Sequence, residues 1–105
     1  MKPDWLAEAA ICLRDAVPAG SQVIVFGSAA RGEAAADSDL DLLIVEPEVA
    51  DRAAETVRLA LLLGRRLLPA DVVVISRSAF ERERQIPNTL AWRAAREGRT
   101  LELSG

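Results

Sequence analysis

The chain has 105 residues, of which 50% are hydrophobic, so we expect one compact domain spanning residues 1–105 and no room for a second. The formal net charge of −3 disfavours binding to bare nucleic acid, because such binding depends on a basic surface that neutralises phosphates. The sequence has no histidine, which excludes catalytic sites built on imidazole, and its single cysteine, Cys12, excludes an internal disulfide.

The N-terminal segment is unlike a signal peptide. Asp4 and Glu8 interrupt it where a signal peptide needs an unbroken apolar core, and no apolar run in the chain is long enough to span a bilayer. We therefore expect a cytoplasmic protein without a membrane partner. Because the sequence has no histidine, any chemistry must use carboxylates, hydroxyls and arginines.

The first half of the chain predicts one helix and two strands. Apolar residues at helical spacing predict a helix over about residues 3–17. The β-branched run Gln22–Phe26 is typical of a buried strand, and the turn "GSAARG" follows it. After a connection of small and polar residues, Asp39–Val45 predicts the second strand, which Pro47 would end.

A long helix is predicted over about residues 51–68. Val57, Leu61 and Leu68 lie on one stripe of this helix, with further leucines around its side, at 59, 62 and 63. This apolar arc is wider than one core-facing side requires, so part of it is a candidate surface for a partner.

The C-terminal part predicts a strand, two helices and a last edge strand. The strand is Asp71–Ser76, the short helix covers 78–85 with Ser78 as its cap, the next helix is capped by Asn88 and closed by Gly98, and "RTLEL" forms the edge strand. The order of elements indicates an α+β fold with a small mixed β-sheet flanked by helices.

Two carboxylates lie at the start of the second predicted strand. Because side chains alternate along a strand, Asp39 and Asp41 point to the same side while Leu40, Leu42 and Ile44 point into the core. Unpaired carboxylates at this spacing repel one another, and a divalent cation would relieve the repulsion. Oxygen ligands of this kind suit Mg²⁺ or Mn²⁺, and Mg²⁺ is commonly shared with substrate phosphates.

The turn before this strand has the residues of a triphosphate site. Gly27 lets the backbone approach a ligand, Ser28 offers a hydroxyl and an N–H group, and Arg31 can pair with phosphate oxygens. If the strand that begins at Asp71 pairs beside Asp39–Val45, its carboxylate would join the other two. Three carboxylates around two metal ions serve phosphoryl and nucleotidyl transfer.

The stretch "GSAARGEAAADSDLD" resembles the glycine-serine, ten-residue, aspartate-any-aspartate signature of the DNA polymerase beta-like nucleotidyltransferases. With its short length, "ADVVVIS" and the terminal "AAREGRTLEL", the whole chain is similar to the minimal nucleotidyltransferases, which are usually encoded beside a HEPN partner. The resemblance implies the palm-type fold of that superfamily.

The resemblance also implies roles for individual residues. Gly27 and Ser28 would hold the triphosphate, Asp39 and Asp41 would bind two Mg²⁺ ions, and Asp71 would complete the metal site and help to deprotonate the acceptor. The reaction would transfer a nucleoside monophosphate, with AMP from ATP expected among the NTPs, and release pyrophosphate. The expected acceptor is a tyrosine of a HEPN RNase toxin, with which the protein would form a hetero-oligomer and act as an antitoxin.

Several alternatives stay open at this point. Asp71 is also compatible with an ordinary strand start, and Arg31 with a surface arginine. A binding-only antitoxin, which masks its partner without chemistry, agrees with the wide apolar arc of the long helix. A small-molecule nucleotidyltransferase of the aminoglycoside type shares the motif, but those enzymes carry an additional helical domain that this sequence lacks.

Overall fold

The computed structural model describes residues 5–27 and 40–103. These residues form four helices and four strands, which are, in chain order, α1 (Trp5–Arg14), β1 (Gln22–Phe26), β2 (Leu40–Glu46), α2 (Arg52–Arg65), β3 (Ala70–Ser76), α3 (Arg77–Glu83), α4 (Leu90–Glu97) and β4 (Arg99–Leu101). The α+β class predicted from the sequence is confirmed.

The four strands form one mixed sheet in the order β3-β2-β1-β4. β1 runs antiparallel to both β2 and β4, whereas β2 and β3 are parallel. The two parallel strands are joined by α2, as a parallel pair requires a crossover connection. β2 is therefore a central strand with a partner on each side.

Both faces of the sheet are covered, which gives the domain two apolar cores. One core lies under α1 and α2 and includes Leu42, Ile44 and Val74. The other lies under α3 and α4 and includes Leu43, Val45 and Ile75. Successive residues of β2 are thus buried on opposite sides, which explains why its sequence is a continuous apolar run.

The ends of the first two helices differ from the prediction. α1 ends at Arg14, three residues before the predicted end at 17, and the N–H of Ala16 donates to the carbonyl of Leu13 three residues back, as in the tightened last turn of a helix. α2 ends at Arg65, before the predicted end at 68, because Leu67 adopts a positive φ of 57° that terminates the helix.

The apolar residues of α2 are divided between the core and the surface. Leu59 and Leu63 are 0% and 1% exposed and form the core contact, whereas Val57 and Leu61 are 55% and 56% exposed. The stripe of Val57, Leu61 and Leu68 is therefore divided: Leu68 is buried just beyond the helix, whereas the other two side chains are not part of the core. Two large apolar side chains one helical turn apart face solvent in this chain.

Two predicted helix caps are replaced by neighbouring residues. Ser76, and not Ser78, caps α3 by accepting a hydrogen bond from the N–H of Ala79. Thr89, and not Asn88, caps α4 by accepting from the N–H of Trp92, since Asn88 has a positive φ of 72°. Gly98 does close α4, as expected.

No helix in the described part of the chain is long and apolar enough to cross a membrane.

Candidate active site

Asp41 and Asp71 lie directly opposite each other on neighbouring strands. The register of the parallel pair β2 and β3 matches Asp41 with Asp71, and Leu43 with Val73 two residues further on. Paired positions on neighbouring strands project to the same face, and the strands are about 4.8 Å apart. The sheet thus brings together two carboxylates that are 30 residues apart in the sequence, as the strand pattern predicted.

These two carboxylates lie at the end of the sheet where β2 and β3 begin, and this end is accessible. Asp41 is half-buried and Asp71 is exposed. A hydrogen bond of 2.8 Å from the N–H of Leu40 to the carbonyl of Pro69 aligns the beginnings of β2 and β3. A ligand can therefore approach the pair from solvent while the backbone beneath it is fixed by two adjacent ladders.

Gly27 lies against the carboxylate of Asp41. It follows β1 with a positive φ of 76°, a conformation that residues with a side chain rarely adopt. A Cβ atom at this position would collide with Oδ2 of Asp41. Glycine is thus required here for two reasons: the left-handed backbone and the close approach to a carboxylate.

Three of the six residues predicted for the site, Ser28, Arg31 and Asp39, lie outside the described residues. The three that are described, Gly27, Asp41 and Asp71, lie together at one end of the sheet. The roles of all six stay predictions.

The residues at this end of the sheet fit a divalent metal ion. Asp41 and Asp71 supply carboxylate oxygens only, which is the donor type that Mg²⁺ and Mn²⁺ prefer. Within residues 5–27 and 40–103, no group of three or more aspartate, glutamate, histidine or cysteine side chains is arranged to hold a metal ion. The third predicted ligand, Asp39, falls between these two ranges.

Arg93 lies near this end of the sheet, and the sequence did not indicate it. Its guanidinium group lies over the ring of Phe26, 6.0 Å from the ring centroid. Phe26 is opposite Asp41 in the β1–β2 register and directly precedes Gly27. Arg93 therefore brings a positive charge to the end of the sheet that carries Asp41. Arg93 and Phe26 are 67 positions apart in the sequence, so no local pattern reveals their contact.

A family model described as a nucleotidyltransferase domain matches residues 6–96 of the chain. None of the curated proteins matches the chain significantly in sequence. The matched range includes every residue predicted for the site.

Solved structures of toxin–antitoxin complexes contain chains with a similar fold. A complex crystallised with AMP-PNP includes a chain with a TM-score of 0.65 and 23% identity over 94% of this chain and 73% of that one. The tri-AMPylated HEPN toxin of Shewanella oneidensis in complex with an MNT antitoxin gives a TM-score of 0.63 and 19% identity, over 99% of this chain and 74% of that one.

A mutant MntA toxin–antitoxin complex also gives a TM-score of 0.63 and 19% identity, over 94% of this chain and 73% of the matched one. At these identities the likeness establishes a shared fold.

Proposed function

Since the chain belongs to the nucleotidyltransferase domain family, we propose that it transfers AMP from ATP to a hydroxyl group of a partner protein, and that this partner is a HEPN-type toxin. The observation that carries the proposal is the in-register pair Asp41 and Asp71 with Gly27 held against it. Two adjacent carboxylates beside a glycine that lets the backbone come close to a ligand are suited to a nucleoside triphosphate and its metal ions.

The proposed site divides the work among its residues. Asp39, Asp41 and Asp71 would hold two Mg²⁺ ions, and Gly27, Ser28 and Arg31 would hold the triphosphate. Bound metal ions would supply positive charge to the attacking and leaving oxygens. Arg93 would add a further positive charge on the side of Phe26.

The transfer itself needs one proton acceptor. The acceptor oxygen attacks the α-phosphorus of ATP, a new oxygen–phosphorus bond forms, and the bond to the pyrophosphate oxygen breaks. The hydroxyl proton passes to the carboxylate of Asp71, which is exposed and so accessible to an incoming side chain. The carboxylate later returns this proton to solvent.

The choice of a toxin as partner is supported by the complexes with which the chain shares its fold. One of them contains a HEPN toxin that carries three AMP groups, beside an MNT antitoxin. A tyrosine of the toxin is the proposed acceptor, and AMP on it would block the toxin's RNase activity. The reaction would take place in the cytoplasm, where ATP is available.

Release of pyrophosphate tests this proposal. The protein is mixed with the proposed HEPN partner, with ATP and MgCl₂, and pyrophosphate is measured over time. We expect release only when both proteins are present, and none with EDTA or with the Asp39→Asn/Asp41→Asn variant. Equal release by that variant would contradict the assignment of the site, and no release with any NTP would contradict the reaction.

The exposed apolar side chains of α2 favour a second candidate, a binding-only antitoxin. Val57 and Leu61 are more than half exposed and lie one turn apart on the same helix. Such a surface would mask the toxin without chemistry. If the Asp39→Asn/Asp41→Asn variant still binds the toxin but no longer neutralises it, this second candidate is excluded.

A further inference from the structure

Leu67 lies just after α2, in a position that most often belongs to glycine. The N–H of Leu67 donates to the carbonyl of Gly64 at 2.9 Å, and the N–H of Leu68 donates to the carbonyl of Leu63 at 3.1 Å. These two hydrogen bonds form a Schellman motif, in which the first residue beyond the helix cap takes a left-handed backbone. Leu67 takes that backbone with a φ of 57°.

Burial does not explain why a leucine occupies this position. Leu67 is 87% exposed, whereas the next residue, Leu68, is 7% exposed and supplies the apolar contact of the turn. A glycine would relieve the left-handed backbone at position 67 and would remove an apolar side chain from water. Leucine is therefore unfavourable here for folding alone, and a strained residue of this kind points to a role in recognition.

The turn that carries Leu67 lies at the same end of the sheet as the candidate active site. α2 returns the chain from the end of β2 to the beginning of β3, and the N–H of Leu40 donates to the carbonyl of Pro69 in this turn. Leu67 precedes Asp71 by four residues, so their Cα atoms are at most about 14 Å apart. Asp71 lies on the sheet face opposite α2, so a protein that reaches over this end of the sheet would contact both residues.

Two arginines next to Leu67 set the charge of this surface. Arg65 and Arg66 are both exposed and end the helix beside the leucine. A second copy of the chain is a poor match, because a two-fold symmetric contact at Leu67 would bring the arginines of both copies together. A surface that carries carboxylates would instead be attracted. The charge therefore favours a different protein, with an apolar pocket bordered by acidic residues.

We propose that Leu67 docks the protein that accepts AMP, by entering an apolar pocket whose rim carries carboxylates for Arg65 and Arg66. This inference rests on the proposed function, because it takes the acceptor of that transfer to be a protein. The docked acceptor would reach over the end of the sheet and present its hydroxyl group to Asp71, the proposed proton acceptor. Leu67 is thus a positioning residue, which acts on the acceptor protein and not on the nucleotide.

Calorimetric binding of the proposed HEPN partner tests docking without catalysis. Leu67→Asn removes the apolar contact and keeps the left-handed backbone, which asparagine tolerates. We expect its Kd to rise roughly tenfold or more, as for the loss of a central anchor. Ile86→Asn, at a position that is 49% exposed between α3 and α4, is the control and should leave the Kd unchanged. An unchanged Kd for Leu67→Asn would overturn the proposal, and so would a failure of the unmodified protein to bind.

Leu67→Gly separates docking from folding. Glycine is favoured in the left-handed position, so the urea midpoint of this variant should rise while its Kd for the partner weakens as in Leu67→Asn. Unfolding could not then explain the weaker binding. A higher urea midpoint with unchanged binding would contradict docking through Leu67.

Steady-state AMP transfer distinguishes a failure of this inference from a failure of the proposed function. Leu67→Asn should raise the KM for the partner protein roughly tenfold and leave the KM for ATP unchanged. Transfer with an unchanged KM for the partner would contradict docking through Leu67 and leave the proposed function intact. Binding that depends on Leu67 but leads to no transfer with any NTP would contradict the reaction and support the docking surface.

Two further measurements test the charge and the identity of the occupant. Arg65→Glu should weaken binding and reduce its dependence on NaCl concentration, since salt screens the attraction to carboxylates. Arg52→Glu, at an exposed position at the other end of α2, is the control and should bind as the unmodified protein does. Light scattering on the free protein should show a monomer. A dimer that Leu67→Asn converts to a monomer would identify a second copy as the occupant and overturn the proposal.

Discussion

Asp41 and Asp71 are paired in register on the parallel strands β2 and β3, so that two carboxylates from distant parts of the chain lie side by side. Like charges at this distance repel, and a metal ion bound between them would offset the repulsion. The proposed nucleotidyl transfer therefore depends on the register of β2 and β3, which brings this pair together.

Asp71→Asn should abolish most of the proposed transfer activity, by at least about 100-fold, because the proposed metal ligand and proton acceptor are lost together. The melting temperature should be unchanged or slightly higher, since repulsion with Asp41 falls. Pyrophosphate release and thermal unfolding of the same preparation measure both effects. Asp15→Asn, at a largely exposed position beside Arg14, is the matched control and should leave both unchanged.

Gly27→Ala should reduce stability by about 1–3 kcal/mol, because the new Cβ meets Asp41 and the backbone has a positive φ. Gly64→Ala is the opposite case, since an added Cβ finds no described atom within 4 Å inside a helix. That variant should be about 0.5–1 kcal/mol more stable than the unmodified protein. Urea unfolding of both variants checks the pair, and equal effects would contradict the close approach of Gly27 to Asp41.

Arg93→Gln should raise the KM for ATP more than it lowers kcat, if its positive charge reaches the phosphates from beside Phe26. Arg96 on the same helix lies over Trp92, 4.9 Å from the ring centroid, and provides the control. Arg96→Gln should leave the KM unchanged. Steady-state kinetics in which both variants raise the KM alike would indicate a general effect of surface charge.

The stability of the domain should depend on pH through Glu46 and Glu55. Burial and the neighbouring Glu55 raise the pKa of Glu46 to about 7, and the hydrogen bonds from Arg58 and Glu46 lower the pKa of Glu55 to about 2. Between pH 4.5 and 7 the folded state keeps the proton on Glu46 that the unfolded state has lost, so stability falls as the pH rises. Between pH 4.5 and 2 the unfolded state protonates Glu55 before the folded state does, so stability falls as the pH falls. The contribution of the pair is therefore largest near pH 4.5.

Glu46→Gln tests this dependence, because its amide donates a hydrogen bond to Glu55 as the protonated acid does. We expect it to be about 2–3 kcal/mol more stable than the unmodified protein at pH 8 and little different at pH 5. Urea midpoints at the two pH values measure the difference. A variant that is less stable at pH 8 would show that Glu46 is ionised without cost.

Val57→Asp and Leu61→Asp should weaken the complex with the proposed toxin partner while leaving the free protein's stability within about 0.5 kcal/mol, since both side chains are more than half exposed. Ile86→Asp is the matched control, because Ile86 is 49% exposed on the segment between α3 and α4. Binding of the toxin, followed by calorimetry, measures the effect. Equal loss in all three variants would contradict a specific role for α2.

Local pattern predicted much of the fold. The bounds of β1 were predicted to the residue because its β-branched run is enclosed by turn residues, and the neighbourhood of Asp41 and Asp71 followed from two strands with acidic starts. The caps at Ser76 and Thr89 were missed because each helix start offers two competing capping residues, and backbone torsion decides between them.

Contacts between distant elements lie beyond such patterns. The apolar arc of α2 left open which of its residues become buried, because that depends on how the helix sits on the sheet. Leu59 and Leu63 enter the core, and Val57 and Leu61 do not. The burial of Glu46 beside Glu55 depends on the same arrangement. Arg93 and Phe26 meet only through the packing of α4 on β1.

The intact mass of the proposed toxin partner, measured in complex with this protein before and after incubation with MgATP, tests protein AMP transfer most directly. The unmodified protein should add one or more AMP masses to the toxin, and the Asp39→Asn/Asp41→Asn variant should add none. A stable complex in which the toxin is neutralised but gains no mass with any NTP would contradict the proposed reaction.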